Sequence, residues 1–309
     1  MNVEIIGEGG SDKVTMSRGF ESGYADHRAG KVRARQVWRV LIEPANAAYY
    51  AGASWSFVTY WFSVVPSAVY LARIYARLML SRATASLVEG TSVVIPTTNF
   101  LDRKFQFCIR AMKHSELPEE ILVFQVNKGF SYSGAINKGI RSSKGKYLIV
   151  LNDDCFVTGN WLSALVKLAE SNPRIGIVAS KLLRVDGKSP DTGAHINLDG
   201  ETVPETDNPD VAHIVNGFLG CSILIKRELI EQIGGFDEVF TPYLYEDADF
   251  CYRARLHGWF VYYCPNSEVY HIRSASLRRE NLEHVREVKE RNKRIFLQRW
   301  KPLIEAGKV

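Results

Sequence analysis

Leu148-Ile149-Val150-Leu151-Asn152-Asp153-Asp154 is an apolar run that ends abruptly in an amide and two acids. Four aliphatic residues in a row, with no polar alternation, suit a strand buried on both faces, the texture of a parallel sheet. In an open parallel sheet, ligands bind beyond the carboxyl ends of the strands. Adjacent carboxylates placed there repel each other unless a cation sits between them and a ligand. Asn and Asp are also ordinary residues of a strand-to-loop turn, so the cluster alone leaves both readings open.

Outward from this strand, helical and strand patterns alternate. Upstream, residues 92–96 read as a buried strand stopped by Pro96, 102–113 as a helix, 121–126 as a strand and 131–143 as a helix. Downstream, 161–170 reads as a helix and 175–179 as a strand, followed by a Gly-, Asp-, Pro- and Thr-rich excursion over 184–210. An irregular stretch that long in a compact domain is usually a binding loop. A strand at 222–226, helices at 227–233 and 246–257, a strand at 260–264 and a basic helix over about 279–300 complete the pattern. Apolar strands separated by helices of this length predict an α/β domain over 89–300, with helices on both faces of a mostly parallel sheet. Residues 301–309 are then a short tail.

The region before it has a different texture. Residues 1–40 read as a polar and basic tail, and Arg28, Lys31, Arg33, Arg35 and Arg39 follow one another with no acid between. Residues 41–88 read as a hydrophobic helical segment: 44–72 carry no charge and many aromatic residues, and Arg73, Arg77 and Arg82 follow. Its length permits a membrane span, but Pro66 interrupts it and both flanks are basic, so charge gives no orientation. An in-plane anchor with Trp and Tyr at the headgroup level fits better. A helical pair packed on the domain or on a second subunit is the alternative, which leaves homo-oligomerisation open. Gly7-Glu8-Gly9-Gly10 lacks the third glycine of a dinucleotide loop, and residues 1–13 lack the apolar core of a signal peptide.

Bulk composition narrows the compartment and the partners. A hydrophobic share of 46% with 24% charged residues excludes wholesale disorder. The net charge of +5 is mild and unclustered, so nucleic acid is not an expected partner. Five scattered cysteines without a C-x-x-C argue for reduced thiols, hence a cytoplasmic setting, and against a zinc knuckle or disulfide framework.

Two more clusters carry chemistry. Gly234-Gly235-Phe236-Asp237-Glu238 is followed by Glu246-Asp247-Ala248-Asp249 at a helix start, where the dipole favours acids. Asp249 and Arg253 are spaced for an i,i+4 pair rather than chemistry. Three acids in four residues still exceed what a helix start needs. His271 closes a strand, and would supply the nitrogen ligand that an acid-only metal site lacks.

In this order the motifs resemble the family 2 glycosyltransferases of GT-A fold. The matching stretches are Val93-Val94-Ile95-Pro96-Thr97, Asn127-Lys128-Gly129-Phe130, Asn137-Lys138-Gly139-Ile140, Leu151-Asn152-Asp153-Asp154 and Gly217-Phe218-Leu219-Gly220. They continue with Gly234 to Glu238, Glu246 to Asp249, His271, and a closing helix carrying Asn292, Phe296 and Trp300. The resemblance covers about residues 91–300. It implies a Rossmann-like domain that binds a nucleoside-diphosphate sugar and transfers the sugar with inversion to a glycan or lipid-linked acceptor. Asp247 would be the general base, with Glu246 beside it contacting the acceptor together with Gly217 and Phe218. Pro96, Thr97, Asn127, Asn137, Asn152 and Asp153 would line the donor pocket. Asp154 and His271 would hold Mg2+ or Mn2+, which stabilises a departing diphosphate as a Lewis acid. A lipid-linked acceptor would place the enzyme in peripheral contact with the cytoplasmic face of a membrane.

One departure stands out. Phe124-Gln125-Val126 runs almost directly into Asn127-Lys128-Gly129, so the acid with which the family usually reads the nucleobase has no counterpart. That shortened region favours, as an alternative, a glycan- or membrane-surface-binding module that has lost turnover. A sugar-phosphate nucleotidylyltransferase would need a G-x-G-x-R loop after the first strand, and Pro96-Thr97-Thr98-Asn99 is not one.

Overall fold

The structure, a computed structural model, describes residues 2–7, 10–15, 86–99, 102–126, 131–184, 190–205, 208–217, 220–272 and 281–309. The aromatic stretch over 44–72 and its basic flanks lie outside the described residues. Among those described, no helix is long and apolar enough to cross a membrane.

Strands Ser86–Thr97 (β3), Glu116–Gln125 (β4) and Tyr147–Leu151 (β5) form a parallel centre, with β3 between the other two. Helices Arg103–Lys113 (α1) and Tyr132–Ser142 (α2) make the crossovers, capped by the Asp102 and Ser131 side chains. Beyond β5, Ser222–Lys226 (β11) runs antiparallel between β5 and Ile175–Arg184 (β7). The sheet continues through Phe260–His271 (β12) to the edge strand His213–Ile214 (β10). Cys155–Val157 (β6) also pairs with β12.

At the opposite edge, Asn2–Gly7 (β1) and Gly10–Thr15 (β2) form a hairpin, and β1 runs parallel to β4. Here the structure departs from the polar tail expected over residues 1–40: the open edge of β4 offers a ladder of unpaired backbone groups, and the hairpin covers it.

Alternation along the strands divides the core in two. Val94, Leu122, Leu148, Val150, Ile177, Ile223 and Ile225 join one buried cluster. That cluster also takes in α2, Arg227–Ile233 (α4), Glu246–Leu256 (α5) and Phe296 and Trp300 of Leu282–Glu305 (α6). Val93, Ile95, Ile121, Val123, Ile149 and Leu151 are fully buried outside that cluster. So are Cys108 and Met112 of α1 and Leu162 and Leu165 of Trp161–Glu170 (α3). The expected helices on both faces are therefore present.

Four strands run past residues where the sequence reading stops or starts them; β7 runs on to Arg184, and the other three do so at prolines. β3 continues through Pro96 to Thr97, β4 begins before Pro118, and β12 extends through Pro265 to His271. The excursion over 184–210 contains a small hairpin, Ala194–Ile196 (β8) with Thr202–Pro204 (β9).

Candidate active site

The carboxyl end of β5 delivers Asn152, Asp153 and Asp154 into three different environments. Asp153 turns inward: its Oδ2 accepts from Thr97 Oγ1 at 2.6 Å and its Oδ1 from Lys104 Nζ at 2.9 Å. Burial pushes that carboxyl up, while Thr97 and Lys104 pull it back. Thr97 and Asp153, both expected on the donor, thus hold each other and pin α1 to the strand end. Asn152 Oδ1 accepts from Tyr132 Oη at 2.8 Å, and the same hydroxyl lies 3.0 Å from the Gly220 carbonyl.

Asp154 faces β12. Its Oδ1 is buried, has no hydrogen-bond partner among the described residues within normal bonding distance, and lies 3.4 Å from His271 Nε2. On the other side of that ring, Nδ1 lies 3.4 Å from Cys221 Sγ. Burial pulls the imidazolium down, but Cys221 and Asp154 beside it overcome that and hold His271 up at about 10. A buried carboxylate and an imidazole 3.4 Å apart at a strand end are a donor pair that fits a divalent cation.

The start of α5 supplies the second acid group. Asp247 Oδ2 accepts from the Gly220 N–H at 3.0 Å and Oδ1 from the Ala248 N–H at 2.8 Å. Glu246 is 6% exposed and its Oε2 has no partner among the described residues. Burial, then repulsion from Asp247, pushes the Glu246 carboxyl well up; burial also raises Asp247, against its two backbone donors. Gly220 links the acid groups, since it receives Tyr132 on one side and donates to Asp247 on the other. Burial and the charges of Glu246 and Asp247 keep the Tyr132 phenol protonated. Tyr132 is the main site residue that the sequence reading missed.

Beside Asp247 opens a small cleft, lined among others by His195, Ile196, Thr202, Gly217 and Tyr252. Gly217, expected on the acceptor, reaches it by pairing with β8 through its carbonyl and the Ala194 N–H at 3.1 Å. Phe218 and Asn127 lie outside the described residues. Pro96 sits in β3 opposite Phe124.

Asn137 is not drawn into this group. Its Oδ1 accepts from the Phe236 N–H, and its Nδ2 donates to the Phe236 carbonyl and Glu238 Oε1, each at 2.8 Å. It latches α2 to the turn before α5. A Cβ on Gly235 would lie 2.3 Å from Asn137 Oδ1, and one on Gly139 would lie 2.4 Å from Val94. Both motifs therefore need glycine for close approach.

A parallel-centred sheet with an acid-ended β5 and acids opening α5 is a GT-A-type α/β domain. The chain belongs to a named family of that class, glycosyltransferase like family 2, whose profile matches residues 62–290. The match starts inside the stretch expected to be hydrophobic and helical. Among solved structures, GalNAc-T7 with UDP, GalNAc and Mn2+ has a similar fold: TM-score 0.50, 15% identity, over 62% of this chain and 44% of that one.

An uncharacterized protein, y4gI, of Sinorhizobium fredii is 28% identical over 193 residues, 59% of this chain and 21% of its own length. The O-antigen biosynthesis protein RfbC of Myxococcus xanthus is 28% identical over 162 residues, 48% of this chain and 12% of its own. A Mycobacterium tuberculosis N-acetylglucosaminyl-diphospho-decaprenol L-rhamnosyltransferase is 36% identical over 66 residues, 21% of each chain. The chain thus spans about a fifth or less of the length of these relatives.

Proposed function

We propose that the chain is an inverting glycosyltransferase that moves a hexose or deoxyhexose from a nucleoside-diphosphate donor to an acceptor hydroxyl. The observation that carries this reading is the buried Asp154 carboxylate facing His271 at the end of β5, with Asp247 across Gly220. In the reaction, the acceptor oxygen attacks the anomeric carbon, its proton passes to Asp247, and the bond to the diphosphate breaks. Inversion follows from one in-line displacement, which needs one base. Two backbone N–H groups orient Asp247, while burial keeps a proton on Glu246, which can then hydrogen-bond the acceptor as a neutral acid. Asp154 and His271 would hold Mg2+ or Mn2+, whose charge would stabilise the departing diphosphate.

The open cleft beside Asp247, lined by Gly217, His195 and Tyr252, is where an acceptor hydroxyl would reach that carboxylate. The likeness to an O-antigen biosynthesis protein and to a rhamnosyltransferase that acts on a decaprenol-linked sugar supports a glycan or lipid-linked acceptor. A donor panel with Mn2+ tests the reading by nucleotide release and product analysis. Metal-dependent transfer with inverted anomeric configuration is the expected result. Donor binding with no turnover on any acceptor would instead favour a glycan-binding module.

A further inference from the structure

The surroundings of Asp154 hold more donors than the proposed reaction uses. Cys155 on β6 is the ladder partner of His271 on β12. Residues directly opposite in an antiparallel pair project to the same face. Cys155 Sγ, an Asp154 carboxylate oxygen and a His271 ring nitrogen all lie within 4.8 Å of one another. Asp154 is 5% exposed and its Oδ1 faces His271 Nε2 at 3.4 Å, with no closer hydrogen-bond partner among the described residues. Cys221 Sγ sits against His271 Nδ1, leaving Nε2 toward Asp154. A histidine that ligates through Nε2 carries a proton on Nδ1 and needs an acceptor for it. Cys221 is in that place.

From this donor set we infer that the centre is a mixed oxygen, nitrogen and sulfur site. A thiophilic divalent cation such as Zn2+, Co2+ or Cd2+ recruits the Cys155 thiolate alongside Asp154 and His271, and thereby displaces Mg2+ or Mn2+. The inference rests on the metal-dependent reading above and adds the third protein ligand. Its chemistry balances simply: the cation takes the Cys155 sulfur and the thiol proton leaves to solvent. That proton is spent weakly, on the Cys221 carbonyl at 3.4 Å. Thiolate suits Zn2+ and its neighbours, whereas Mg2+ prefers oxygen and leaves the thiol protonated. Three protein ligands leave a coordination position for water or a diphosphate oxygen, the pattern of catalytic rather than structural zinc.

The test titrates the full chain with Co2+, without donor, and follows sulfur-to-cobalt charge-transfer absorption. A parallel titration follows bound Mn2+ by electron paramagnetic resonance as Zn2+ is added. We expect a charge-transfer band in the unaltered chain, its loss in Cys155→Ser and its retention in Cys221→Ser. Zn2+ should displace Mn2+, and Cys155→Ser should weaken Zn2+ about tenfold or more while leaving Mn2+ affinity in place. Co2+ binding without that band in the unaltered chain, which needs no variant to read, would overturn the sulfur ligand and leave Asp154 and His271 standing. A band that survives Cys155→Ser and vanishes in Cys221→Ser would also overturn the proposal, by moving the ligand. If neither Mn2+, Co2+ nor Zn2+ binds, the metal-dependent reading falls with it.

Discussion

Glu246 and Asp247 are neighbours in sequence with unequal surroundings, and the inequality fits the roles proposed for them. Two backbone N–H groups favour charge on Asp247, whereas Glu246 Oε2 has no donor. The last proton of the pair therefore stays on Glu246. Asp247→Asn should cut turnover by about 10²–10⁴-fold, the usual share of general-base catalysis. Glu246→Gln, a neutral shape mimic of the protonated acid, should cost far less. Steady-state kinetics on both variants check this, and the reverse order would make Glu246 the base. The pH profile has a definite sign. Burial raises the Asp247 carboxyl, so the base keeps its proton to higher pH and activity is lost as pH falls through that raised value. The acid limb of kcat/KM should lie above the ordinary aspartate value of about 3.9; a limb at or below it would contradict the assignment. Asp154 and His271 drew notice in the sequence because one follows an apolar run and the other closes a strand, and strand ends are where such sheets bind ligands; the structure brings the two side chains within 3.4 Å. Tyr132 and Cys221 were not legible, since their meaning comes from contacts 20 and 50 residues distant along the chain. Asn137 was visible as a motif, but its amide serves a turn 99 residues away.

Strands and helices were legible wherever packing and local pattern agree. α3, α4 and β11 have the expected bounds because apolar runs and breakers coincide there. The prolines misled the reading because a proline is tolerated in a strand where a neighbouring ladder has ended. β5 pairs with β3 only as far as Val94, two residues before Pro96. Pro265 falls between the part of β12 that pairs with β10 and the part that pairs with β6. The β8–β9 hairpin left no pattern, since three residues per strand are too few to show alternation. The turn into α5 was equally hidden. Leu244 and Tyr245 both take φ of 75°, a left-handed conformation that costs non-glycine residues about 1–3 kcal/mol each. Asn292 of α6 holds that turn by donating Nδ2 to the carbonyls of Phe240, Tyr243 and Leu244 at 2.8–3.0 Å. Asp249, fully buried, ties the same helices through Arg253, Arg299 and Trp300. Removing the amide leaves buried carbonyls without a donor, at about 1–3 kcal/mol. Asn292→Leu should thus lower Tm by roughly 2–4 °C per kcal/mol. It should also reduce kcat at temperatures where the variant is fully folded, because the strained turn aims Glu246 and Asp247. Thermal unfolding beside kcat well below Tm separates the two effects. A lower Tm with unchanged kcat would show that the acid pair keeps its place without Asn292.

At the scale of the whole molecule, the domain was legible as an α/β sheet, while the role of the region before it rests on composition alone. Residues 44–72 lie outside the described residues, and the family match enters that stretch at residue 62. An uncharged aromatic run between Arg28–Arg39 and Arg73–Arg82 suits a surface of anionic headgroups. Each basic residue near such a surface contributes about 1 kcal/mol, and apolar burial adds to it. The two contributions respond differently to salt. The ionic part is screened, since the Debye length shrinks to about 3 Å at 1 M, while the aromatic part is not. The full chain should therefore float with anionic liposomes at low salt and be loosened, but not released, at high salt. Replacing Trp55, Phe57, Trp61 and Phe62 by serine should leave only the salt-sensitive fraction. Membrane attachment would bring the enzyme to lipid-linked acceptors, so the outcome bears on the substrate as well as the location. Flotation that persists unchanged in the serine variant would move the attachment elsewhere in the chain. If the unaltered chain stays in the soluble fraction at low salt, the stretch is a packing or oligomerisation element, and the lipid-linked acceptor loses its physical support.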